Sequence, residues 1–227
     1  MPIPLPATSN LLSALPAKLQ AGLFAKARPG ALAADQVLFL SGDAGDGCYR
    51  VDDGLLKVSV VAPAGSERIL AVLGSGAMVG ELSMISGSAR SASVAAIRES
   101  RLSFVSRAAF DVFARNNPEL YKHVMGLLAN RLIDTNMALA ATTFLSLQGR
   151  VAHALLNLAE AFGHDVGDGR ILVRQKITQS DLAAMAGIAR ENVSRILKEW
   201  TRRSLISRLA GYYCLENKAA IEREAEL

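Results

Sequence analysis

The chain has 227 residues, of which 51% are hydrophobic and 20% are charged, and its net charge is +4. This composition predicts one or two packed domains and argues against a transmembrane protein, because no apolar run approaches the roughly 18 residues that span a bilayer. Two cysteines, Cys48 and Cys214, are too few for a disulfide framework or a zinc site, and the first ten residues lack a signal-peptide pattern, so we expect a reducing, cytoplasmic location.

The first half of the chain reads as a short helix followed by several strands. Apolar residues at helical spacing between Asn10 and Ala27 predict an amphipathic helix that Pro16 interrupts. Asp52-Asp53-Gly54 has the chemistry of a hairpin turn. Such short strands predict a small antiparallel barrel or sandwich. The predicted strands are Val37–Leu40, Tyr49–Val51, Leu55–Val61, Ile69–Leu73, Ser91–Ile97 and Leu102–Val105.

A short helix capped by Ser106 is predicted to lead into a long helix from Pro118 to Phe144. No proline or long polar break interrupts this stretch, and its apolar residues recur at spacings of three and four. That heptad pattern is typical of two helices that pair along their length, although a core helix would also be apolar on one face. The seam turns polar towards its end, which suits a ligand or a partner. Its members are Tyr121, Met125, Leu128, Leu132, Thr135, Leu139 and Thr142.

The C-terminal third carries a helix–turn–helix pattern between Lys176 and Leu197. Thr178 and Asp181 form a capping-box variant at the start of the first helix, and Gly187 allows a tight turn. Ser207–Leu215 is predicted to form a two-stranded wing. The buried face of the second helix is predicted to contain Val193, Ile196, Leu197 and Trp200.

The same third of the chain is basic. Ahead of it, Ser146 is a predicted N-cap of another helix, and Gly163–Gly169 is a predicted loop. The segment Arg170–Lys218 contains ten basic and four acidic residues, a surplus of six positive charges. This surplus indicates a polyanionic partner, although a solvated basic face would look similar. Candidate phosphate contacts are Arg170, Arg174, Lys176, Lys198, Arg202, Arg203 and Arg208.

A barrel, a long helix and a winged helix–turn–helix, in this order, resemble the cyclic AMP receptor protein and FNR family of bacterial transcription factors. Two stretches carry the resemblance, which covers nearly the whole chain. Val79–Val94 (VGELSMISGSARSASV) is similar to the phosphate-binding cassette of cyclic-nucleotide domains. Arg190–Arg195 (RENVSR) is similar to the family's recognition helix. The implied fold class is α+β, with an N-terminal antiparallel β-roll, a long dimerisation helix and a C-terminal winged helix–turn–helix.

The resemblance implies a cyclic-nucleotide site. Arg90 is expected to hold the cyclic phosphate by charge-assisted hydrogen bonds, and Ser91 to add its hydroxyl and N–H. Glu81 is expected to accept from the ribose 2′-OH, unless Arg90 and Glu81 are merely surface charges. The implied nucleotide-binding residues are Gly80, Glu81, Leu82, Arg90, Ser91, Thr135 and Asn136.

Base selectivity stays open at this point. Thr135 matches the family's residue type, whereas Asn136 stands where the family's cyclic AMP receptors have a serine from the second subunit. An amide both donates and accepts, so Asn136 suits the adenine amino group or a guanine edge, or is a plain surface amide. Cyclic AMP is the expected allosteric ligand, with cyclic GMP or both as the alternative, and no metal is expected.

The resemblance also implies the DNA contacts. Arginine suits the O6 and N7 edge of guanine and glutamate accepts from cytosine N4, so Arg190, Glu191 and Arg195 are expected to read a TGTGA-like half-site. Glu191 with Arg195 is alternatively a surface ion pair. Ser194 departs from the glycine of the family's cyclic AMP receptors, which leaves the outer base pair open. The implied DNA-binding residues are Thr178, Gln179, Arg190, Glu191, Ser194, Arg195 and Lys198.

Other functional classes find less support in the residues. An iron–sulfur sensor needs a cluster of cysteines near the N-terminus, and the three histidines lie outside the predicted barrel, which argues against haem. Cys48 as a redox switch is a minor alternative. No Ser-His-Asp, Cys-His or metal-spaced set indicates an enzyme. Two alternatives stay open: a DNA-binding regulator with a degenerate, ligand-independent sensor domain, and a nucleotide-binding module that acts through protein contacts alone.

The predicted domains are a nucleotide-binding β-roll at 1–117, a dimerisation helix and hinge at 118–145, and the winged helix–turn–helix at 146–227. We expect a homodimer that binds palindromic double-stranded DNA, contacts RNA polymerase and does not bind membranes. Nucleotide is expected to re-register the paired helices, so that a hinge near Leu145–Gly149 moves both recognition helices into major grooves one helical turn apart.

Overall fold

A computed structural model of the chain describes residues 15–226, apart from the side chains of eight positions in the long helix, namely 127, 130, 131, 134, 137, 138, 141 and 142. The described residues form two compact units that meet in sequence between Arg131 and Leu132. The three-part division expected from the sequence stays a prediction. No helix of the described residues has the length and hydrophobicity to cross a membrane.

The first unit is built on an antiparallel sheet of six strands, with the order β1-β6-β3-β4, where β2 pairs with β6 and β5 pairs with β3. Its strands are β1 (Arg28–Leu32), β2 (Val37–Phe39), β3 (Gly47–Val61), β4 (Glu67–Leu73), β5 (Met78–Val79) and β6 (Ser93–Ser106). Its helices are α1 (Ala17–Phe24), α2 (Glu81–Ser86), α3 (Arg107–Asn116) and the start of α4 (Glu119–Phe144).

Two apolar clusters hold this unit together. One lies within the sheet and includes Val51, Leu56 and Leu102, each at most 2% exposed. The other joins α1, α3 and the start of α4 to the barrel, with Phe110 and Leu120 among its members. Burying such side chains stabilises a fold by about 1.5–3 kcal/mol each, so these helices are an integral part of the first unit.

The predicted hairpin at Asp52-Asp53-Gly54 is wrong, because β3 continues through these residues and pairs with β6 on both sides. The pairing register shifts here instead, which makes a bulge. Gly54 has φ +119°, and a Cβ at this position would overlap Ser100. Glycine at this position therefore allows β3 to lie close to Ser100 of the paired strand β6.

The two strands predicted at Ser91–Ile97 and Leu102–Val105 form one strand, β6. The polar stretch between them did not end the strand, because its backbone pairs with neighbours on both sides: Ser100 with Leu32, and Arg98 with Leu55. Backbone pairing does not depend on side-chain polarity. Strands β1 and β5 and helix α2 were not predicted. Within the described residues the predicted N-terminal helix runs from Ala17 to Phe24, and its predicted residues Leu11 and Leu12 lie outside the described range.

The second unit contains the remainder of α4 and a four-stranded antiparallel sheet of order β7-β8-β10-β9. The predicted loop Gly163–Gly169 is wrong at its start, since Gly163–Asp165 pairs with Ile171–Val173. The wing is present, and its turn lies at Ala210 and Gly211, with φ of 51° and 92°. Its elements are α5 (Leu147–Phe162), β7 (Gly163–Asp165), β8 (Ile171–Val173), α6 (Gln179–Ala186), α7 (Arg190–Arg202), β9 (Ile206–Leu209), β10 (Tyr212–Leu215) and α8 (Lys218–Glu224).

The helix ends follow the capping chemistry predicted from the sequence. Ser106 and Ser146 accept hydrogen bonds from backbone N–H groups in the first turns of α3 and α5. Thr178 and Asp181 form a complete capping box on α6, and Gly187 ends that helix in the left-handed conformation. These caps satisfy N–H and C=O groups that a helix end leaves unpaired, and they define where the helix–turn–helix begins and turns.

Candidate functional site

A short helical turn frames the candidate nucleotide site. Strand β5 ends at Val79, Gly80 takes a left-handed conformation with φ 86°, and α2 follows. A Cβ on Gly80 would lie 2.5 Å from Nη1 of Arg90. Two reasons therefore require glycine at this position: its left-handed backbone angle and the close approach of the guanidinium.

Arg90 is the central cation of the site and is only 4% exposed. Its Nη1 donates to the carbonyl oxygens of Gly47 and Gly80, both at 2.8 Å, and lies 2.7 Å from Ser83 Oγ. A buried charge is costly unless it is hydrogen-bonded. These three oxygen atoms hold one end of the guanidinium in a fixed position.

The other edge of the guanidinium, formed by Nη2 and Nε, makes fewer hydrogen bonds. Nη2 donates to Oδ1 of Asp46 at 3.3 Å, and the ring centroid of Phe39 lies 4.3 Å from Cζ. Within the described part of the chain, Nε is buried and makes no hydrogen bond. An arginine edge with two donors matches a pair of oxygens on a phosphate or carboxylate. The residues present therefore fit an anionic phosphodiester.

The remaining cassette residues differ in exposure. Glu81 is 2% exposed, in the first turn of α2, whereas Leu82 is 39% exposed. Ser91 is exposed directly after Arg90. The structure thus brings Gly80 and Arg90 into contact, with Glu81 and Ser91 next to them in sequence. The roles assigned to these residues stay predictions.

Four residues that contact Arg90 were not predicted as site residues: Ser83, within the cassette stretch itself, and Phe39, Asp46 and Gly47 from outside it. Asp46 and Gly47 lie 44 and 43 residues before Arg90 in the sequence, and Phe39 lies earlier still, so no local pattern connects them to it. A Cβ on Gly45 would overlap Ser83. The glycine-rich loop before β3 was the one available signal, since such loops often allow close backbone approach.

Thr135 and Asn136 are exposed on α4, in the second unit. Their predicted role as readers of the nucleotide base stays a prediction. Thr142, the last residue of the predicted seam, has a side chain outside the described set. The exposed apolar residues of the seam are Tyr121, Met125, Leu132 and Leu139, at 48%, 63%, 62% and 67% exposure.

Cys48 lies in the core beside this site and is fully buried. Burial raises the pKa of its thiol to about 12, although the charge of Arg90 acts in the opposite direction. Thiol oxidation and exchange need the thiolate. A protonated, inaccessible thiol therefore fits a structural role rather than the redox switch considered above.

Helix α7, the predicted recognition helix, has two distinct faces. Val193, Ile196, Leu197 and Trp200 are at most 4% exposed and form the apolar face predicted from the sequence. Arg190, Glu191, Arg195 and Lys198 are exposed, and Ser194 is half-buried. Arg195 donates to Oδ1 of Asn192 at 2.9 Å. The exposed face thus presents guanidinium, ammonium and carboxylate groups in the pattern that suits base edges and phosphates.

The candidate phosphate contacts around this helix differ in exposure and in ion pairing. Thr178 is exposed and Gln179 half-buried at the start of α6. Arg203 lies 2.8 Å from Glu224 and 3.4 Å from Glu199, and Arg170 lies 3.6 Å from Asp168. Such ion-paired arginines are less available to DNA. The candidate contacts Arg174, Lys176, Lys198, Arg202 and Arg208 are exposed.

Arg150 is a residue that the sequence reading missed. From the first turn of α5 its Nε donates to Ala186 O at 3.0 Å, and its Nη2 to Gly187 O at 2.7 Å. These carbonyls end α6, where a cation is favourable for the helix dipole. Arg150 therefore ties the beginning of α5 to the turn of the helix–turn–helix. The two partners lie 36 and 37 residues after Arg150, which gives no local signal.

Comparison with known proteins matches both halves of the chain. Residues 30–117 match the cyclic nucleotide-binding domain and residues 149–224 match the Crp-like helix–turn–helix domain. The CRP-like cAMP-activated global transcriptional regulator of Mycobacterium tuberculosis is 32% identical over 219 residues, which cover 91% of this chain and 94% of that protein. The cyclic AMP receptor protein of Thermus thermophilus is 31% identical and covers 83% of each chain.

Solved structures agree with this result. A CRP/FNR-family transcriptional regulator from Thermus thermophilus has a TM-score of 0.71 and 26% identity, and covers 87% of this chain and 98% of its own. FixK2 from Bradyrhizobium japonicum shares the fold, with a TM-score of 0.79 at 17% identity. The match covers 88% of this chain and 98% of FixK2. The predicted fold class is confirmed. The chain belongs to the CRP/FNR family of DNA-binding transcription regulators, a family of regulators rather than enzymes, with a cyclic nucleotide-binding domain ahead of its helix–turn–helix.

Proposed function

We propose that this regulator binds cyclic AMP in its N-terminal domain and responds by binding DNA as a homodimer. The observation that carries the ligand proposal is the guanidinium of Arg90. It is buried, its Nη1 is held by two backbone carbonyls, and its Nε and Nη2 form a second donor edge of the kind that pairs with an anion. Relatives at 31–32% identity are named cAMP-activated regulator and cyclic AMP receptor protein, which supports cyclic AMP over other anions.

Each residue has a defined part in this proposal. Arg90 pairs with the cyclic phosphate, Gly80 lets the backbone approach, and Ser91 donates its hydroxyl and N–H. Glu81 accepts from the ribose 2′-OH. Thr135 and Asn136 read the base, Asn136 from the second subunit. Because an amide can meet adenine or guanine, cyclic GMP is the alternative ligand.

Calorimetric titration with cyclic AMP and cyclic GMP in parallel tests the ligand. Arg90→Gln is expected to weaken binding about 10- to 150-fold, because a hydrogen bond to a charged group contributes about 1.5–3 kcal/mol. Its thermal unfolding is measured alongside, and Arg90→Lys is the second variant if glutamine unfolds the domain. If the wild-type protein binds neither nucleotide, the sensor is degenerate and the ligand proposal fails.

The homodimer proposal rests on the exposed apolar stripe of α4. Tyr121, Met125, Leu132 and Leu139 recur at heptad-like spacing and are each about half exposed or more. Exposed apolar stripes of this length mark contact surfaces, and heptad spacing fits a helix of the same kind. A second copy of the chain therefore covers this face in the proposed dimer.

The proposed DNA site follows from two-fold symmetry. Two copies of α7 would meet half-sites one helical turn apart, with Arg190, Glu191 and Arg195 reading a TGTGA-like sequence. Thr178, Gln179, Ser194 and Lys198 complete the proposed surface, and RNA polymerase is the proposed protein partner, in the cytoplasm. Arg195→Ala is expected to cost about 1–3 kcal/mol of DNA binding and to relax base preference. Unchanged affinity for a selected palindrome would instead favour a module that acts through protein contacts alone.

Nucleotide controls DNA binding in this proposal by shifting a conformational equilibrium. A change from 1:99 to 99:1 needs about 5.5 kcal/mol of differential affinity between the two states. The hinge at Leu145–Gly149 is the proposed point of movement. DNA-binding titrations with and without cyclic AMP measure this coupling directly, and equal affinity in both would identify a ligand-independent regulator.

A further inference from the structure

An acidic side chain lies against the phosphate-facing edge of Arg90. Oδ1 of Asp46 is 3.3 Å from Nη2, and the two side chains differ sharply in burial: Asp46 is 72% exposed and Arg90 only 3%. Asp46 belongs to the loop before β3 rather than to the cassette sequence. A carboxylate of the protein thus occupies part of the edge at which we place the nucleotide phosphate.

The fold holds the backbone of Asp46 in this position. Gly42 N donates to Arg90 O and Arg90 N donates to Asp43 O, both at 2.8 Å, and Arg107 N donates to Asp46 O at 2.9 Å. The Asp46 loop is therefore fixed to the backbone of Arg90 and to the start of α3. Only the side chain of Asp46 is free to turn away.

Arg90 does not need Asp46 for its orientation. Its Nη1 is held by the carbonyl oxygens of Gly47 and Gly80 and by Ser83, and its plane is covered by Phe39. The carboxylate contacts Nη2, and Nε, which lies on the same edge of the guanidinium, makes no hydrogen bond among the described residues. Removing its charge should leave the guanidinium in place and make that edge available to another anion.

We propose that Asp46 is an internal competitor of the nucleotide phosphate and lowers the affinity of the site. This rests on the proposed function. A cyclic phosphodiester carries one negative charge, and at Nε and Nη2 it either displaces the Asp46 carboxylate or is repelled by it. Asp46 thereby sets the nucleotide concentration at which the regulator responds, acting through Arg90 without being required for the fold.

Calorimetric titration of cyclic AMP and cyclic GMP into Asp46→Asn, Asp46→Glu and wild type tests this proposal. Asn has the shape of Asp without its charge, so binding is expected to tighten about two- to fivefold, the range of a largely exposed ion pair. Glu restores the charge and is expected to return affinity towards wild type. Glu99→Gln removes one exposed charge from β6 and is the charge-matched control, with unchanged affinity expected.

The outcomes separate this inference from the proposed function. Tighter binding of Asp46→Asn supports it, including the case in which wild type binds no nucleotide and the variant does. Equal or weaker binding of Asp46→Asn, with wild type binding normally, overturns the competitor role and leaves the ligand proposal standing. An equal gain in Glu99→Gln would show a general charge effect and overturn it too. Absence of binding in both wild type and Asp46→Asn overturns both.

Discussion

At the scale of single residues, the candidate nucleotide site depends on a guanidinium that the protein has already desolvated. The cost of burying Arg90 is offset by hydrogen bonds from Nη1 to Gly47 and Gly80 and by the face of Phe39. The folded protein already bears the desolvation cost of Arg90. An incoming anion therefore meets a guanidinium that needs little further ordering.

Gly80→Ala tests how closely the cassette backbone must approach Arg90. The left-handed angle at residue 80 costs a non-glycine residue about 1–2 kcal/mol, and a Cβ would in addition lie 2.5 Å from Nη1. We expect a loss of stability above that backbone cost, together with weaker nucleotide binding. Urea unfolding and calorimetric titration measure the two effects.

Gly65→Ala is the matched control for this change. Gly65 has φ +85°, almost the same as the +86° of Gly80, but a Cβ there would meet no atom within 4 Å among the described residues. It should lose only the backbone part of the stability and keep nucleotide affinity. If the two variants behave alike, the contact with Arg90 has no effect on binding.

Cys48 provides a second prediction at this scale. Burial raises the pKa of its thiol to about 12, so the thiol stays protonated at neutral and mildly alkaline pH. The thiolate is the reactive form. Alkylation of Cys48 by iodoacetamide should therefore stay slow as pH rises from 7 to 9, where a free thiol reacts steadily faster, and should become rapid on unfolding. Cys214→Ser removes the half-buried second thiol from the measurement. Fast native-state labelling that follows pH would contradict the buried, protonated state.

At the scale of elements, α7 is held to the rest of its unit by an apolar face and through the turn that precedes it. Trp200 and Val193 are fully buried, while Arg190 and Arg195 are exposed. Arg150 adds a fixed connection from α5 to the end of α6. The residues proposed to read bases are therefore positioned by contacts with other helices.

Arg150→Ala is expected to weaken DNA binding about three- to thirtyfold through loss of two charge-assisted bonds to the α6 carbonyls. Fluorescence anisotropy with a selected DNA site measures the affinity, and calorimetric titration shows whether nucleotide binding stays unchanged. Arg150→Lys should restore only part of it, because lysine cannot fork between two carbonyls. Arg115→Ala is the control, since Arg115 Nε bonds within its own helix at Asp111 O. Wild-type DNA affinity in Arg150→Ala would exclude a positioning role.

At the scale of the whole molecule, the exposed stripe of α4 predicts a self-associating protein. Leu132→Glu places a charge on a residue that is 62% exposed in the single chain, so the monomer should fold normally while the dimer is destabilised. Burying an unpaired charge costs several kcal/mol, and the dissociation constant should rise at least tenfold. Sedimentation equilibrium measures it.

Val61→Glu is the control for this prediction. Val61 is 60% exposed at the end of β3, away from α4 in sequence, so the same chemical change should leave the dimer intact. A wild-type chain that is monomeric at all concentrations would contradict the dimer proposal, and loss of association in both variants would point to a general effect of charge.

Much of this protein could be read from its sequence where the information is local. Capping at Ser146 and Thr178, the turn at Gly187 and the apolar face of α7 depend on residues a few positions apart, and the structure confirms them. Local chemistry is misleading where tertiary pairing overrides it. Asp52-Asp53-Gly54 has turn composition, yet β6 keeps it in a continuous strand.

By itself the sequence predicted short strands, a long helix and a basic helix–turn–helix, because periodicity and spacing follow directly from the order of residues. The family and the complete fold class followed from the resemblance of two motifs to known regulators. Only the tertiary structure decided which groups meet Arg90. Phe39, Asp46 and Gly47 come from a loop and strands distant in sequence, and they reach Arg90 because antiparallel pairing folds that loop against the cassette. These contacts join residues that are far apart in the sequence, and patterns of neighbouring residues carry no information about them.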